Sequence, residues 1–247
     1  MVSLFMVIGF IAAFVDTVVG GGGLITVPAL MCTGLPPVTV LGTNKVAAVM
    51  GAFTSFVAFI RSGKVDFGLI KYLFPCSLIG AVVGVFTVRL VPPDFLRPLV
   101  VVMLIMVSFY SLTKRDFGIH SVYHGITRRR LFLSAIASFV FGFYDGFFGP
   151  GTGSFLLFSF LLIGYDFVVA SGNSRALNFA SNVAAAVIFI KIGEVNYSYA
   201  LPMGIAMIAG AWCGAKVAIS KGVKYVRFLF FMVTGVLIIK QLWELFK

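Results

Sequence analysis

The chain repeats one pattern of glycine, polar and charged residues in its second half. Between Gly42 and Phe67 the echo keeps a constant offset of 130 residues, so that Gly42 corresponds to Gly172 and Lys45 to Arg175. The repeated residues are glycines and charges within strongly apolar sequence, where membrane proteins that move polar solutes keep their functional groups. The pattern therefore predicts a duplicated, all-α membrane protein with two homologous halves of about four to five helical segments each.

Composition places the chain in a lipid bilayer. Its 247 residues are 60% hydrophobic and 11% charged, with a mean hydropathy of +1.09, whereas a soluble domain carries about 25% charged residues. The net charge is +11, but the basic residues lie in short connections between apolar runs, which is typical of membrane orientation signals. We therefore expect the lipid bilayer as a partner and no nucleic acid.

Apolar stretches of about 20 residues are long enough to cross the hydrocarbon. The sequence predicts crossings at about 44–60, 68–90, 96–113, 174–190, 197–219 and 225–245. Residues 2–32 and 131–164 are too long for one straight crossing, and a glycine cluster interrupts each of them. Because glycine disfavours helix, each stretch is predicted to be a helix, an irregular or re-entrant turn and a second short helix. Such backbone at membrane depth is buried in protein or lines an aqueous cavity.

A basic polar segment separates the halves. The predicted organisation is a first transmembrane repeat over 1–113, a cytoplasmic connecting loop over 114–130 and a second repeat over 131–247. The sequence leaves open whether the repeats are parallel or inverted. If each glycine-broken stretch counts as two passes, the repeats are inverted, and the basic residues from Lys216 to Arg227 then lie on the same side as the connecting loop, in better agreement with the charge rule.

Lys45 and Arg175 are the leading candidates for solute binding. Each lies three residues after its echoed glycine, and each is predicted at the start of a long apolar helix, where free N–H groups and the helix dipole favour anions. The alternative is that both cations reach out to the membrane interface and bind nothing. Their occurrence at equivalent positions beside glycine and polar residues favours binding.

Polar residues around the two cations complete the predicted substrate site. Hydroxyl and amide side chains next to the cations could either bind the solute or cap the helices: Thr43, Asn44, Asn173 and Ser174. Asn178 and Asn182 follow Arg175 at a spacing that places all three on one helix face, while the first half has Ala48 and Ala52 there. The glycines expected to let backbone N–H groups approach the solute are Gly22, Gly23, Gly151 and Gly153.

Asp16 and Asp145 lie in apolar sequence shortly before the glycine clusters. An ionised carboxylate in that setting costs at least a few kcal/mol unless it is paired or neutralised. Either each Asp forms an ion pair with a basic residue of its own or the opposite half, or it takes up a proton during transport. Pairing is favoured, and both roles stay open.

No catalytic or cofactor site is predicted. The cysteines Cys32, Cys76 and Cys213 have no paired spacing, and His120 and His124 fall in the polar connecting loop. The Gly20–Gly23 cluster lacks the Lys-Ser/Thr ending and the strand that a nucleotide phosphate loop requires. An intramembrane enzyme is therefore not expected, nor is a metal or other cofactor, and transport would use an ion gradient or the solute's own gradient.

Two motifs together resemble the sulfite exporter TauE/SafE family of membrane permeases. The first runs from Asp16 through Gly20–Gly23 to Pro28 and continues as Pro36-Pro37 and Gly42-Thr43-Asn44-Lys45, and the second covers Gly146–Ser154. The resemblance extends over nearly the whole chain. It implies a multi-pass protein of the bacterial cytoplasmic membrane that moves sulfite, an organosulfonate or a related small sulfur-containing anion.

The expected function is a secondary transporter with a small anion bound between the two repeats, with protons as the candidate coupling ion. An anion channel of the same architecture is the alternative, since it would share a basic pore without needing the carboxylates.

Overall fold

The computed structural model describes residues 2–88 and 121–245, except residues 124 and 126. These residues form eight α-helices and no strand, which confirms the all-α prediction. The helices are α1 Val2–Val19, α2 Gly23–Met31, α3 Pro37–Arg61, α4 Phe67–Thr87, α5 Arg128–Phe147, α6 Thr152–Ile163, α7 Phe167–Lys191 and α8 Tyr197–Leu245, which is kinked at Gly222. The crossing predicted at 96–113 and both histidines lie outside the described residues.

Five segments of the described chain are long and apolar enough to span a membrane. They are α1, α3, α4, α5 and the part of α8 up to Gly222. By contrast, α2 has 9 residues and α6 has 12, so they rise only about 14 and 18 Å along their axes. The two long apolar stretches are thus divided at their glycine clusters, as predicted, and the protein is a multi-pass membrane protein.

The two glycine turns pack directly against each other. Gly20 has φ +87° and Gly151 has φ +90°, a left-handed conformation that side-chain-bearing residues rarely adopt. A Cβ on Gly20 would collide with the backbone of Gly153 and Ser154, and the Ser154 hydroxyl donates to the Val19 carbonyl oxygen at 3.1 Å. The breaks in the two stretches therefore form one central structure.

The predicted helix starts at about 44 and 174 are wrong, because α3 and α7 begin seven residues earlier. Pro37 is the first residue of α3, where its fixed φ and missing N–H suit a helix start. The Asp166 side chain caps α7 by accepting from the N–H groups of Val168 and Val169. Likewise, α5 begins at Arg128, inside the segment predicted as a connecting loop.

The directions of four central helices follow from their contacts, and α3 and α7, which the sequence echo pairs, run in opposite directions. Helices α3 and α7 are antiparallel, since Gly42 lies against Phe189 near the far end of α7 and Gly172 lies against Phe59. Their bounds, 37–61 and 167–191, differ by the 130 residues of the sequence echo. Helix α5 is parallel to α4, since Ser77 in the middle of α4 lies against Gly142, and Gly84 near the end of α4 lies against Phe147 at the end of α5.

Basic residues collect at one end of the molecule. The start of α8 lies beside the start of α3, and Gly51 of α3 lies against Met207 of α8, so Arg61 and Lys216 come to the same end. Helix α4 starts at this end after a short turn, and its parallel neighbour α5 begins there with Arg128. From the excess of Lys and Arg, we expect this end to face the cytoplasm.

We expect Gly42→Ala to destabilise the protein. A Cβ on Gly42 would overlap the carbonyl oxygen of Glu194, and forcing atoms into such a contact costs about 1–3 kcal/mol. Gly235→Ala is the matched control, because a Cβ on that helical glycine would have no atom of the described side chains and backbone within 4 Å. The melting temperature in detergent should fall for the first variant and hold or rise for the second. Equal melting temperatures would contradict the close approach of Gly42 in α3 to the backbone of Glu194.

Candidate functional site

A small polar cavity lies where the glycine turns meet α1, α3 and α7. Its volume is about 40 Å³, enough for roughly three water molecules. Its polar side chains come from both halves of the chain, and they are Asp16, Thr17, Thr26, Asn44, Lys45, Asp145, Thr152, Asn178 and Asn182. All four glycines predicted to approach a solute, Gly22, Gly23, Gly151 and Gly153, also line it.

Lys45 and Asp145 form a buried ion pair in the cavity wall. The Lys45 Nζ atom is 2.8 Å from Asp145 Oδ1, and each side chain is only 2% exposed. Gly149 makes room for the ammonium, since a Cβ there would lie 2.8 Å from Nζ. The second carboxylate oxygen, Oδ2 of Asp145, has no hydrogen-bond partner among the described residues. This pair joins α3 to α5, and it leaves Oδ2 of Asp145 able to accept a further hydrogen bond.

Arg175 and Asp16 form the second ion pair. The Arg175 Nη1 atom is 2.6 Å from Asp16 Oδ2, and Asp16 Oδ1 also accepts from the Gly22 N–H at 3.0 Å. Arg175 is fully buried while Asp16 is 26% exposed. The guanidinium lies behind Gly153, where a Cβ would be 2.5 Å from Nη2, and it does not line the cavity.

The two predicted cations are therefore not equivalent. Both are buried, which excludes the reading in which they reach out to the membrane interface. Lys45 is part of the cavity wall, whereas Arg175 fixes the first glycine turn through Asp16. Each carboxylate pairs with the cation of the opposite half, so two positive and two negative charges leave the region near neutral.

The capping role considered for the residues beside the cations is wrong, because all of them lie inside helices. Thr43 accepts instead from the Asn196 backbone N–H at 2.9 Å, and the Asn173 side-chain oxygen accepts from the Asp66 N–H at 2.8 Å. Each of these bonds holds a turn of the opposite half. Ser174 accepts from Arg175 Nη2 at 3.3 Å. Thr43, Asn173 and Ser174 do not line the cavity.

The amide wall of the cavity lies where the sequence placed it. Asn178 and Asn182 line the cavity from α7, and the smaller Ala48 and Ala52 line it from α3. The Asn182 side-chain nitrogen donates to the Asn178 carbonyl oxygen at 2.7 Å, which orients that amide. At these positions α7 supplies polar groups and α3 supplies space, while Asn44 and Lys45 of α3 add polar groups one turn away.

Sequence reasoning missed the threonines of the short helices. Thr26 of α2 donates to the Asn44 side-chain oxygen at 2.6 Å, and Thr152 lies at the start of α6 in the cavity wall. Thr26 could have been predicted, because it is a polar residue in apolar sequence and follows the first glycine cluster by three positions. The Tyr144 hydroxyl, also missed, donates to the Pro150 carbonyl oxygen at 2.6 Å and holds the second glycine turn.

Broken helices that meet at a charged internal cavity in a multi-pass helical protein are typical of membrane transporters. The family model "Sulfite exporter TauE/SafE" matches residues 5–241 of the chain. The chain therefore belongs to the sulfite exporter TauE/SafE family, as its motifs predicted, and it is a bacterial-type membrane transporter.

Curated relatives agree with this assignment. The chain is 35% identical over 246 residues to "Probable membrane transporter protein ORF9" of Sinorhizobium sp, a match that covers 98% of this chain and 92% of the relative. It is 32% identical to "Probable membrane transporter protein YfcA" of Escherichia coli strain K12, covering 98% and 93%. A Haemophilus influenzae "Probable membrane transporter protein" is 31% identical, covering 98% and 96%. No solved structure matches the chain significantly.

The buried pair predicts strong coupling between Lys45 and Asp145. Lys45→Gln or Asp145→Asn alone leaves one uncompensated buried charge, at a cost of about 3–5 kcal/mol. The double variant removes both charges and should melt above either single variant in detergent. Lys71→Gln, an exposed cation on α4, is the control and should change stability by less than about 0.5 kcal/mol. Losses that simply add in the double variant would contradict the pairing.

Proposed function

We propose that this protein is a secondary transporter that carries a small sulfur oxyanion, such as sulfite, or an organosulfonate through the central cavity. Lys45 is the observation that carries the proposal, because it is the buried cation in the cavity wall. The family name supports sulfite, and the small volume supports a solute of few heavy atoms.

The neutral charge balance of the site suggests how an anion is bound. An entering anion would compete with Asp145 for the Lys45 ammonium, because an ion pair with the anion weakens the ion pair with Asp145. The amide groups of Asn178 and Asn182 and the N–H groups of Gly23 and Gly153 are the additional donors, because both glycines line the cavity in the first turns of α2 and α6. Arg175 and Asp16 hold the glycine turn and would act by positioning.

Displacing Asp145 also supplies a route to proton coupling. With the anion on Lys45, the cavity would carry an excess negative charge, which one proton entering with the anion would neutralise. Asp145 is 2% exposed and its Oδ2 has no partner among the described residues. Asp16 is less suited, because both of its oxygens are bonded. We therefore assign co-movement of a proton with the anion to Asp145.

The antiparallel packing of α3 and α7 supports an alternating-access mechanism. Inverted helix arrangements let one half rock against the other around a central site. Lys45 lies eight residues from the outer end of α3, and Arg175 lies eight residues from the cytoplasmic end of α7. Because α3 and α7 are antiparallel, Lys45 and Arg175 lie on opposite sides of the middle of this helix pair, which would let one ion pair open as the other closes.

Uptake of labelled sulfite into proteoliposomes tests the transport site. The double variant Lys45→Gln/Asp145→Asn keeps the region neutral, so it should fold but lose transport by at least about tenfold, as expected for loss of a buried charged hydrogen bond. Lys71→Gln should transport like the parent. A folded double variant with parental transport would refute the site, and flux that does not saturate and carries ohmic current would indicate a channel.

A pH gradient tests the coupling role of Asp145. For one proton per monovalent anion, each unit of inside-alkaline pH gradient should concentrate the anion about tenfold in the parent. Asp145→Asn should lose this accumulation while keeping anion exchange at equal pH, whereas Asp16→Asn should keep some accumulation. Added sulfite should also raise the melting temperature of Asp145→Asn, because the anion replaces the missing carboxylate. Unchanged accumulation by Asp145→Asn would contradict this role.

A further inference from the structure

We propose that a groove on the outer face of α3 and α8 binds one anionic phospholipid of the cytoplasmic leaflet. The groove has a volume of about 490 Å³ and is separate from the central cavity. Arg61 and Lys216 lie at one end of it, while Phe53, Val57, Trp212 and Ile219 supply apolar walls. This amphipathic composition matches a phosphate headgroup attached to an acyl chain.

The depth of the groove matches the depth of a lipid. Gly51 and Met207 face each other and both line the central cavity. Arg61 follows Gly51 by ten residues and Lys216 follows Met207 by nine, so the cations lie about 14–15 Å from the cavity along the helix axes. With the central cavity at the bilayer midplane, as the proposed transport mechanism requires, this distance equals half of a hydrocarbon core of about 30 Å. The cations are thus at headgroup level, and the aromatic rings are at acyl-chain level.

The charge of the groove calls for an anion. Arg61 and Lys216 are exposed, and neither has a carboxylate partner within the described part of the chain. The Lys216 ammonium lies 5.4 Å from the centre of the Trp212 ring, which holds it over the groove. Two like charges in one groove repel each other, and a phosphate bound between them would neutralise both.

The corresponding positions at the outer end of the molecule lack this arrangement. At the offset of 130 residues, Arg61 corresponds to Lys191 and Lys216 corresponds to Phe86, while Trp212 corresponds to Val82. Of these two sets of positions, therefore, only the set at the end expected to face the cytoplasm has a second cation and a tryptophan. Anionic lipids are concentrated in that leaflet, which favours a lipid over an anion free in solution.

Fluorescence quenching of Trp212 by brominated lipids tests the proposal. The chain has two tryptophans, so a Trp243→Phe background leaves Trp212 as the single reporter. In proteoliposomes, brominated phosphatidylglycerol should quench Trp212 at lower mole fraction than brominated phosphatidylcholine. Arg61→Gln and Lys216→Gln should each weaken this preference about fivefold, the value expected for one cation at an anionic surface.

Lys191→Gln is the matched control, since it removes the corresponding cation at the opposite end and should leave the preference unchanged. Equal quenching by the two lipids in the parent would overturn the proposal, as would a preference that survives in Arg61→Gln/Lys216→Gln. Protection of Trp212 from both lipids would also overturn it, because the groove would then be covered by protein. An equal loss of the lipid preference in Lys191→Gln would also overturn the proposal, because the preference would then arise from the overall charge of the protein.

Discussion

Two charged pairs buried at membrane depth constrain the rest of this structure. An isolated ion in the hydrocarbon costs several kcal/mol, and a buried pair recovers that cost only when its geometry is good. Here each pair takes its cation from one half of the chain and its carboxylate from the other. The buried charges of each half are therefore paired only when the other half is in place, so each half needs the other to bury its charged side chains.

The crossed pairs depend on backbone that only glycine allows. The turns after α1 and α5 bring Asp16 and Asp145 to the centre, and the helices α2 and α6 then leave toward opposite ends. Gly149 and Gly153 give the cationic groups their space. The same glycines line the cavity, so the residues that make ion pairing possible also open the backbone to a solute. Stability and the proposed transport route thus share one set of residues.

Much of this arrangement could be predicted from the sequence, because its signals are local. Glycine clusters in apolar stretches predicted the helix breaks, and the polar face of Asn178 and Asn182 followed from helical spacing. The predicted starts of α3 and α7 were too late, because Pro37 and the capping Asp166 start these helices before the echoed glycines. The unequal roles of Lys45 and Arg175 arise because Lys45 lies on the cavity side of a glycine turn and Arg175 lies behind one. The sequence does not contain the distances that distinguish these two positions. The duplication itself stays a prediction supported by matching helix bounds.

We propose that an anion takes the place of Asp145 on Lys45 and that this carboxylate then takes up a proton. Infrared difference spectroscopy of the reconstituted protein, with and without sulfite, measures this event directly. A carbonyl stretching band of a protonated carboxylic acid should appear on sulfite addition in the parent and be absent in Asp145→Asn. Failure of the band to appear in the parent, or its persistence in Asp145→Asn, would contradict the account.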